Sequence, residues 1–221
     1  MLGDIVQYLS DPFNQDRILG YLGEHLQLSL LPLVIGLAAA IPLGWLASRT
    51  RSLRLTLMGT ANVVYTIPSL ALFVVLPGLI GTQITAPINV ILALSIYTAA
   101  LLVRPVVDAL DAVPGHVIAA ATAMGYRPLR RFFAVELPLS VPVLAAGVRV
   151  ASVSNISLVS VGALIGTGGL GALFTGGFQI RYLPPIIVGI ALTLLLALVM
   201  DLLLVGLRRA LTPWSRVGGA H

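Results

Sequence analysis

The sequence predicts an all-α integral membrane protein with five transmembrane helices. Three observations predict it. Of 221 residues, 58% are hydrophobic and only 10% charged. The mean hydropathy is +1.02. The apolar residues also lie in long runs without acid or Arg, at 25–48 and 55–103. A soluble globular domain is about a quarter charged, and a large share of its residues must face water. A disordered chain has far less apolar side chain than this. A bilayer is the solvent that remains.

The runs set the spans. Residues 25–48 are enough for one helix across a hydrocarbon layer of about 30 Å. Residues 55–103 hold two crossings, with a turn where Pro77, Gly78, Gly81 and Pro87 cluster. Residues 137–165 are apolar apart from Arg149, and 182–207 apart from Asp201. The expected spans are 24–48, 55–77, 87–107, 138–160 and 183–207. Segment 1–23 precedes them. It lacks a basic n-region, so it does not read as a cleavable signal peptide, and Ile5, Val6, Leu9 and Phe13 suggest a short interfacial helix. The expected organisation is 1–23 extracytoplasmic, 24–208 the five-helix transmembrane bundle with a cytoplasmic loop at 108–137, and 209–221 a cytoplasmic tail.

Charge placement sets an expected orientation. Three Arg lie in 49–54, four in 104–137 and three in the tail, while 78–87 has none and 161–182 only Arg181. Segment 1–24 is net −3. Arg marks cytoplasmic loops, so the N-terminus is expected outside and the C-terminus inside. The same bias accounts for the net charge of +5 without nucleic acid. There is no Cys, which removes thiolate chemistry. All 13 basic residues are Arg. Without Lys there is no P-loop lysine, so any ATP must be bound by another chain.

Within the spans, Gly36, Ala40 and Gly44 recur every four residues, either for close helix packing or as ordinary small residues of a membrane helix. Pro32, Pro42, Pro68 and Pro142 are expected to bend helices. Around Pro68, Tyr65, Thr66 and Ser69 either line a polar break or repair the backbone locally. Arg149 falls near the bilayer midplane, where an unpaired charge is expensive. Ser152 and Ser160 lie on the same side of its helix. Arg149 is either a pathway or gating residue or a structural Arg capped by neighbouring helices. Asp201 is expected near the cytoplasmic end of the last helix, close enough to pair with Arg208. Gly166-x-Gly168-x-x-Gly171 has neither the preceding strand nor the later acid of a dinucleotide site. It reads as a flexible outer loop or gate involving Gly168 and Gly169, or as a plain turn. His25, His116 and His221 are too scattered for one metal site.

The 104–137 loop is the most informative segment. Pro114 starts a short helix over 116–124, Gly125 stops it, and a second helix begins near Pro128. The patch Ala119-Ala120-Ala121 is small and flat, suited either to a partner's groove or to the lipid headgroups. Arg127, Arg130 and Arg131 are expected at the membrane surface. The pattern Ala120-Ala121-x3-Gly125-x9-Val135-x-Leu137-Pro138 resembles the EAA loop of the permease subunits of ABC importers, with Ala119 where that motif has Glu. Ile67-Pro68-Ser69-Leu70-Ala71-Leu72, Ala146-Gly147-Val148-Arg149, Asn155-Ile156 and Ile165-Gly166-Thr167-Gly168-Gly169-Leu170-Gly171 are similar to the glycine betaine/carnitine/choline permeases. The resemblance covers roughly 20–208.

The resemblance implies a type I importer permease fold. It also implies that Ala119, Ala120, Ala121, Gly125, Arg127, Leu137 and Pro138 couple the chain to a cytoplasmic ABC ATPase. That partner would hold the ATP and Mg, leaving this chain a transport subunit with no cofactor and no enzyme activity of its own. Further implied partners are a second permease, identical or paralogous, and an extracytoplasmic substrate-binding protein. Asn155 joins Tyr65, Pro68, Ser69, Arg149, Ser152, Gly168 and Gly169 as candidates for the pathway or gate. Methionine-type amino-acid importers share the five-helix plan and form the alternative. A stand-alone channel or scaffold would not need the loop. An intramembrane enzyme would need a His or Lys at mid-depth.

Overall fold

The computed structural model describes residues 2–214. Met1 and residues 215–221 lie outside the described residues, and with them Arg216 and His221 of the expected tail. Every regular element described is helical: α1 (Leu2–Ser10), α2 (Pro12–Ala47), α3 (Arg51–Thr66), α4 (Ser69–Ile80), α5 (Pro87–Asp111), α6 (Gly115–Ala123), α7 (Pro128–Arg131), α8 (Leu137–Gly162), α9 (Gly171–Gln179) and α10 (Leu183–Leu211). A π-helical turn, Phe132–Glu136, joins α7 to α8. Four helices are long and apolar enough to cross a membrane, and the bent pair α3–α4 makes a fifth when taken as one span.

The first helix of the bundle starts well before residue 24, where the apolar run begins. Asp11 caps α2 by accepting a hydrogen bond from the Phe13 N–H at 3.0 Å, and Pro12 occupies the first helical position. That pairing nucleates a helix even though its first turns are polar. Hydropathy located the layer the helix crosses, not the helix itself. At 36 residues, α2 is about 54 Å long, so its first turns, with Asn14, Asp16 and Arg17, reach beyond an apolar layer of about 30 Å. The preceding α1 is a separate helix that buries Tyr8 against Tyr182 at the start of α10, while Val6, Leu9 and Phe13 stay exposed.

The second span is broken rather than continuous. α3 and α4 meet at 97° around Ile67 and Pro68. Pro68 has no N–H to give the Val64 carbonyl one turn earlier; the Ile67 N–H donates to that carbonyl at 3.2 Å instead, and the Tyr97 hydroxyl donates to the Ile67 carbonyl at the bend. Thr66 donates to the Val63 carbonyl at 2.7 Å, a local repair of the same last turn. α4 ends at Gly81 in the left-handed conformation.

α5 is the centre of the bundle, burying Val90, Ala93, Leu94, Leu102, Val106 and Val107 among others. α2 lies directly against it. A Cβ on Gly36 would run into the Thr98 side chain and lie 2.9 Å from the Ala99 nitrogen; one on Gly44 would run into Val106. The stripe Gly36-Ala40-Gly44 is therefore a packing seam, and Ala40 is fully buried in it. α8 closes on α5 in the same way, with Gly147 against Pro105. The outward faces stay apolar: Leu194, Leu195, Leu198, Leu202 and Leu203 of α10 are each more than half exposed. Such a surface would be a liability in water and is what a bilayer requires.

The seam gives a direct test. Gly36→Ala adds one methyl group where there is no room and should cost about 1–3 kcal/mol by overpacking. Gly59→Ala adds the same methyl where nothing lies within 4 Å and should be neutral or stabilising by up to about 1 kcal/mol. Thermal unfolding of the detergent-solubilised variants should place the first below the parent and the second at or above it.

Candidate translocation and coupling sites

Between α5 and α8 the chain leaves the bundle and returns. α6 is followed by Gly125 at φ +83°. There the Gly125 N–H donates to the Thr122 carbonyl at 3.0 Å and the Tyr126 N–H to Ala121 at 3.2 Å. This left-handed stop, which glycine adopts without strain, reverses the chain into α7 at Pro128. Arg127 precedes α7 as its cap residue and is exposed. Arg131 then ties the hairpin together. Its Nε donates to Glu136 at 2.6 Å and its Nη1 to the Thr122 hydroxyl at 2.7 Å. Leu137 and Pro138 open α8 directly behind Glu136.

The three alanines of α6 do not share one face. Ala119 and Ala120 are exposed, whereas Ala121 is 2% exposed and belongs to the chain's own interior. Three consecutive helical residues span about 200° of arc, so a flat patch of all three was never geometrically available. The surface offered outward includes Ala119, Ala120, Thr122, Ala123 and Met124, the last 70% exposed.

Arg149 has an acidic partner. Its Nε and Nη2 donate to the two oxygens of Asp201, each at 2.6 Å, in a fork-to-fork pair between α8 and α10. Asp201 does not pair with Arg208 as its position suggested. α10 runs on to Leu211, which puts Asp201 about 15 Å from that end; Arg149 is about 18 Å from the matching end of α8. Two charges at one depth neutralise each other where neither could stand alone. Ser152 and Ser160 hold buried hydroxyls with no hydrogen-bond partner among the described residues.

Asn155 faces elsewhere, about 120° around α8 from Arg149. Its Oδ1 accepts from Thr98 of α5 at 3.0 Å and its Nδ2 donates to the Ser29 carbonyl of α2 at 3.3 Å. Buried at 2% exposure, it locks three helices through hydrogen bonds that have no water to compete with them.

At the opposite end of the bundle from α6, the glycine-rich loop is held, not free. Gly166, Gly168 and Gly169 all have positive φ. Glu24 accepts from the Gly169 N–H at 2.9 Å, and a side chain at Gly168 would collide with that carboxylate. His25 is fully buried. Its Nδ1 accepts from the Leu170 N–H at 3.1 Å, which leaves Nε2 to donate to the Ile156 carbonyl at 2.9 Å. Both ring nitrogens are thus used by the neutral tautomer. The loop leads into α9, a short helix that returns to the bundle and was not expected between 161 and 182. A Cβ on Gly171, its first residue, would press on Ser160 and Ala163.

The expected pathway residues therefore fall into four places. Tyr65, Pro68 and Ser69 lie at the α3–α4 break, where the Tyr65 ring packs edge-on to Tyr97 at 5.8 Å. Arg149 is in the α8–α10 pair, with Ser152 buried one turn on; Asn155 is in the α2–α5–α8 lock; and Gly168 and Gly169 are in the tethered loop. Glu24, Thr98 and Glu136 had no place in the sequence reading, and His25 and Arg131 stood there only as a scattered histidine and a membrane-surface arginine. The adjacent Glu24-His25 at the edge of an apolar run, and opposite charges at 131 and 136 across a helix junction, were the available signals. No cluster of three His, Cys, Asp or Glu able to hold a metal occurs among the described residues.

A broken span, a charge paired mid-helix between α8 and α10, and a compact hairpin between two long apolar helices mark a multi-pass membrane bundle. The chain belongs to the family of binding-protein-dependent transport system inner membrane components, matched over residues 33–213. It is a multi-pass protein of the plasma membrane. It is 34% identical to the osmoprotectant import permease protein OsmW of Salmonella typhimurium, over 95% of this chain and 98% of that one. It is 31% identical to the choline transport system permease protein OpuBB of Bacillus subtilis, over 95% and 94%. Its fold matches a chain of the inward-facing MetNI methionine ABC transporter with a TM-score of 0.83 at 23% identity, covering 91% of this chain and 99% of that one. This is the expected type I importer permease fold.

The midplane pair generates a prediction. Arg149→Ala or Asp201→Ala leaves one intramembrane charge unpaired, and assembled protein or transport should fall about tenfold or more. The double variant Arg149→Asp/Asp201→Arg should recover much of the loss, scored by membrane yield and vesicle uptake. Wild-type yield and uptake in both single variants would show that the pair has no role.

Proposed function

We propose that this chain is the permease of an ATP-driven importer for quaternary ammonium osmoprotectants such as glycine betaine, choline and carnitine. The curated relatives that resemble it along nearly their whole length are named for that class of solute. The methionine-type alternative has support from fold alone, at 23% identity. In the proposed assembly the N-terminus is outside and the C-terminus inside. Two permeases, identical or paralogous, form the path across the bilayer. A binding protein delivers solute from outside, and cytoplasmic ABC ATPases hold the ATP and Mg.

The observation that carries this reading is the α6–α7 hairpin. It offers small side chains at Ala119 and Ala120 beside Met124, stiffened from behind by Arg131, Glu136 and Thr122. A shallow, braced helix of this kind suits insertion into a groove of another protein. Ala119 in place of the motif's Glu removes one charged side chain from that contact. Gly125, Arg127, Leu137 and Pro138 would act through the hairpin, setting its turn and its junction with α8. ATP-driven closure of the ATPases would push on this lever, and the paired helices would carry the motion to the opposite end. The proposed permease unit is 24–208, including the loop 108–137, between an extracytoplasmic segment 1–23 and a cytoplasmic tail 209–221.

Ala121 is interior, so the informative substitution is at its exposed neighbour. Ala120→Arg should weaken co-purification with the ATPase by about tenfold or more, as expected of a central contact, while the permease still inserts and folds. ATP-dependent choline uptake into proteoliposomes should fall with it. An Ala120→Arg permease that keeps its ATPase and its uptake would refute the coupling role. A chain that purifies alone and conducts solute without ATP would refute the importer.

A further inference from the structure

We infer that the cavity beneath the glycine-rich loop is an acceptance site for a small organic cation, a methylated ammonium group in particular. The cavity has a volume of about 670 Å³ and lies among the N-terminal half of α2, the start of α5, the turn that follows α8, the glycine-rich loop and α9. Among the described residues, Glu24 is the one charged group that lines it. The two aromatic rings on its wall are Tyr21 and Phe178, and Thr85, Thr175 and Gln179 supply neutral polar atoms.

This composition selects by charge and by ring face. A single carboxylate with no basic residue on the described wall favours a cation and disfavours an anion. A methylated ammonium has no N–H to donate, so it is recognised by aromatic faces and by a nearby negative charge. The Tyr21 ring is held by Arg17, whose guanidinium carbon lies 5.7 Å from the ring centroid and which donates to the Tyr21 hydroxyl at 3.3 Å, so the Phe178 ring is the aromatic face left for a ligand. Phe178 is 79% exposed, which leaves its ring face open to a ligand. One Glu24 oxygen is spent on the Gly169 N–H, which fixes the carboxylate on the cavity wall and leaves its second oxygen to face a ligand.

The site sits at the end of the bundle where the proposed importer receives its solute, so the inference rests on that reading while naming a site that the reading does not require. It also ranks ligands. A full cation such as choline or tetramethylammonium should bind better than zwitterionic glycine betaine, whose own carboxylate would meet Glu24.

The test uses the full chain in nanodiscs, with and without its ATPase, and titrates tetramethylammonium, choline, glycine betaine and 3,3-dimethylbutanol, the uncharged carbon isostere of choline. Choline and tetramethylammonium should bind at least tenfold more tightly than the isostere, with betaine between them. Glu24→Gln keeps an oxygen for the Gly169 N–H and removes the charge, and should lose about tenfold in choline affinity. Phe178→Leu alters an exposed ring with no packing role and should lose a similar amount. Equal binding of choline and its isostere, or no change in either variant, would overturn the site even in an assembly that imports choline. If the assembly imports no quaternary ammonium while tetramethylammonium still binds and Glu24→Gln abolishes it, the site stands and the proposed transport substrate falls.

Discussion

The close approach of α2 to α5 is the contact on which the other features depend. Lipid tails are as apolar as leucine, so no hydrophobic force drives two helices together inside a bilayer. What remains is contact between surfaces that fit, and Gly36, Ala40 and Gly44 let the α2 backbone meet Thr98 and Val106 of α5 without intervening side chains. That proximity brings Thr98, Ser29 and Asn155 within hydrogen-bonding distance, so the three-helix lock follows from the seam. It also sets the height of Glu24 and His25, about three turns beyond the seam on the same helix, against the loop they hold. A helix displaced outward by one methyl group would loosen all three.

The polar groups within the bundle show a division of labour along α8. One face carries Asn155 toward α2 and α5; another carries Arg149 toward α10. The first bonds neutral groups, fully enclosed, and suits a fixed joint. The second pairs charges at partial exposure, with side chains 39% and 24% accessible. A charged pair on the accessible flank of a bundle at mid-depth is compatible with water or another protein surface and incompatible with bare lipid. Within one helix, therefore, the rigid contacts and those able to exchange partners are separated by about a third of a turn.

The broad architecture was legible because the bilayer imposes length and apolarity together. The spans, the break at Pro68 and the hairpin ended by Gly125 all left local marks. The remainder was decided by partners far apart in sequence. His25 reads as a stray histidine until Leu170 and Ile156 meet its two nitrogens. Asp201 was expected to pair with Arg208, on the same helix, because the end of α10 was placed too early. α2 was expected at 24 because apolarity begins there, although Asp11-Pro12 was a helix start in plain view. α9 was hidden because Gly176 and Gly177 look like loop, and packing of Gly177 and Gly189 against neighbouring side chains outweighs that propensity.

The tether between α2 and the glycine-rich loop links the two ends of the molecule in one mechanical sense. Glu24 and His25 are on the same rigid helix as the seam, and the loop they hold leads straight into α9 and then α10, which carries Asp201. Motion of α8 relative to α2 must therefore strain either the Asn155 lock or the hydrogen bonds to Gly169 and Leu170. Those two bonds are made to backbone N–H groups in a segment where three glycines hold positive φ, and glycine passes between such conformations at low steric cost. The lock, by contrast, joins side chains and carbonyls of helices that cannot bend without losing their own ladders. The tethered loop is therefore the softer of the two elements, and the Asn155 lock the stiffer.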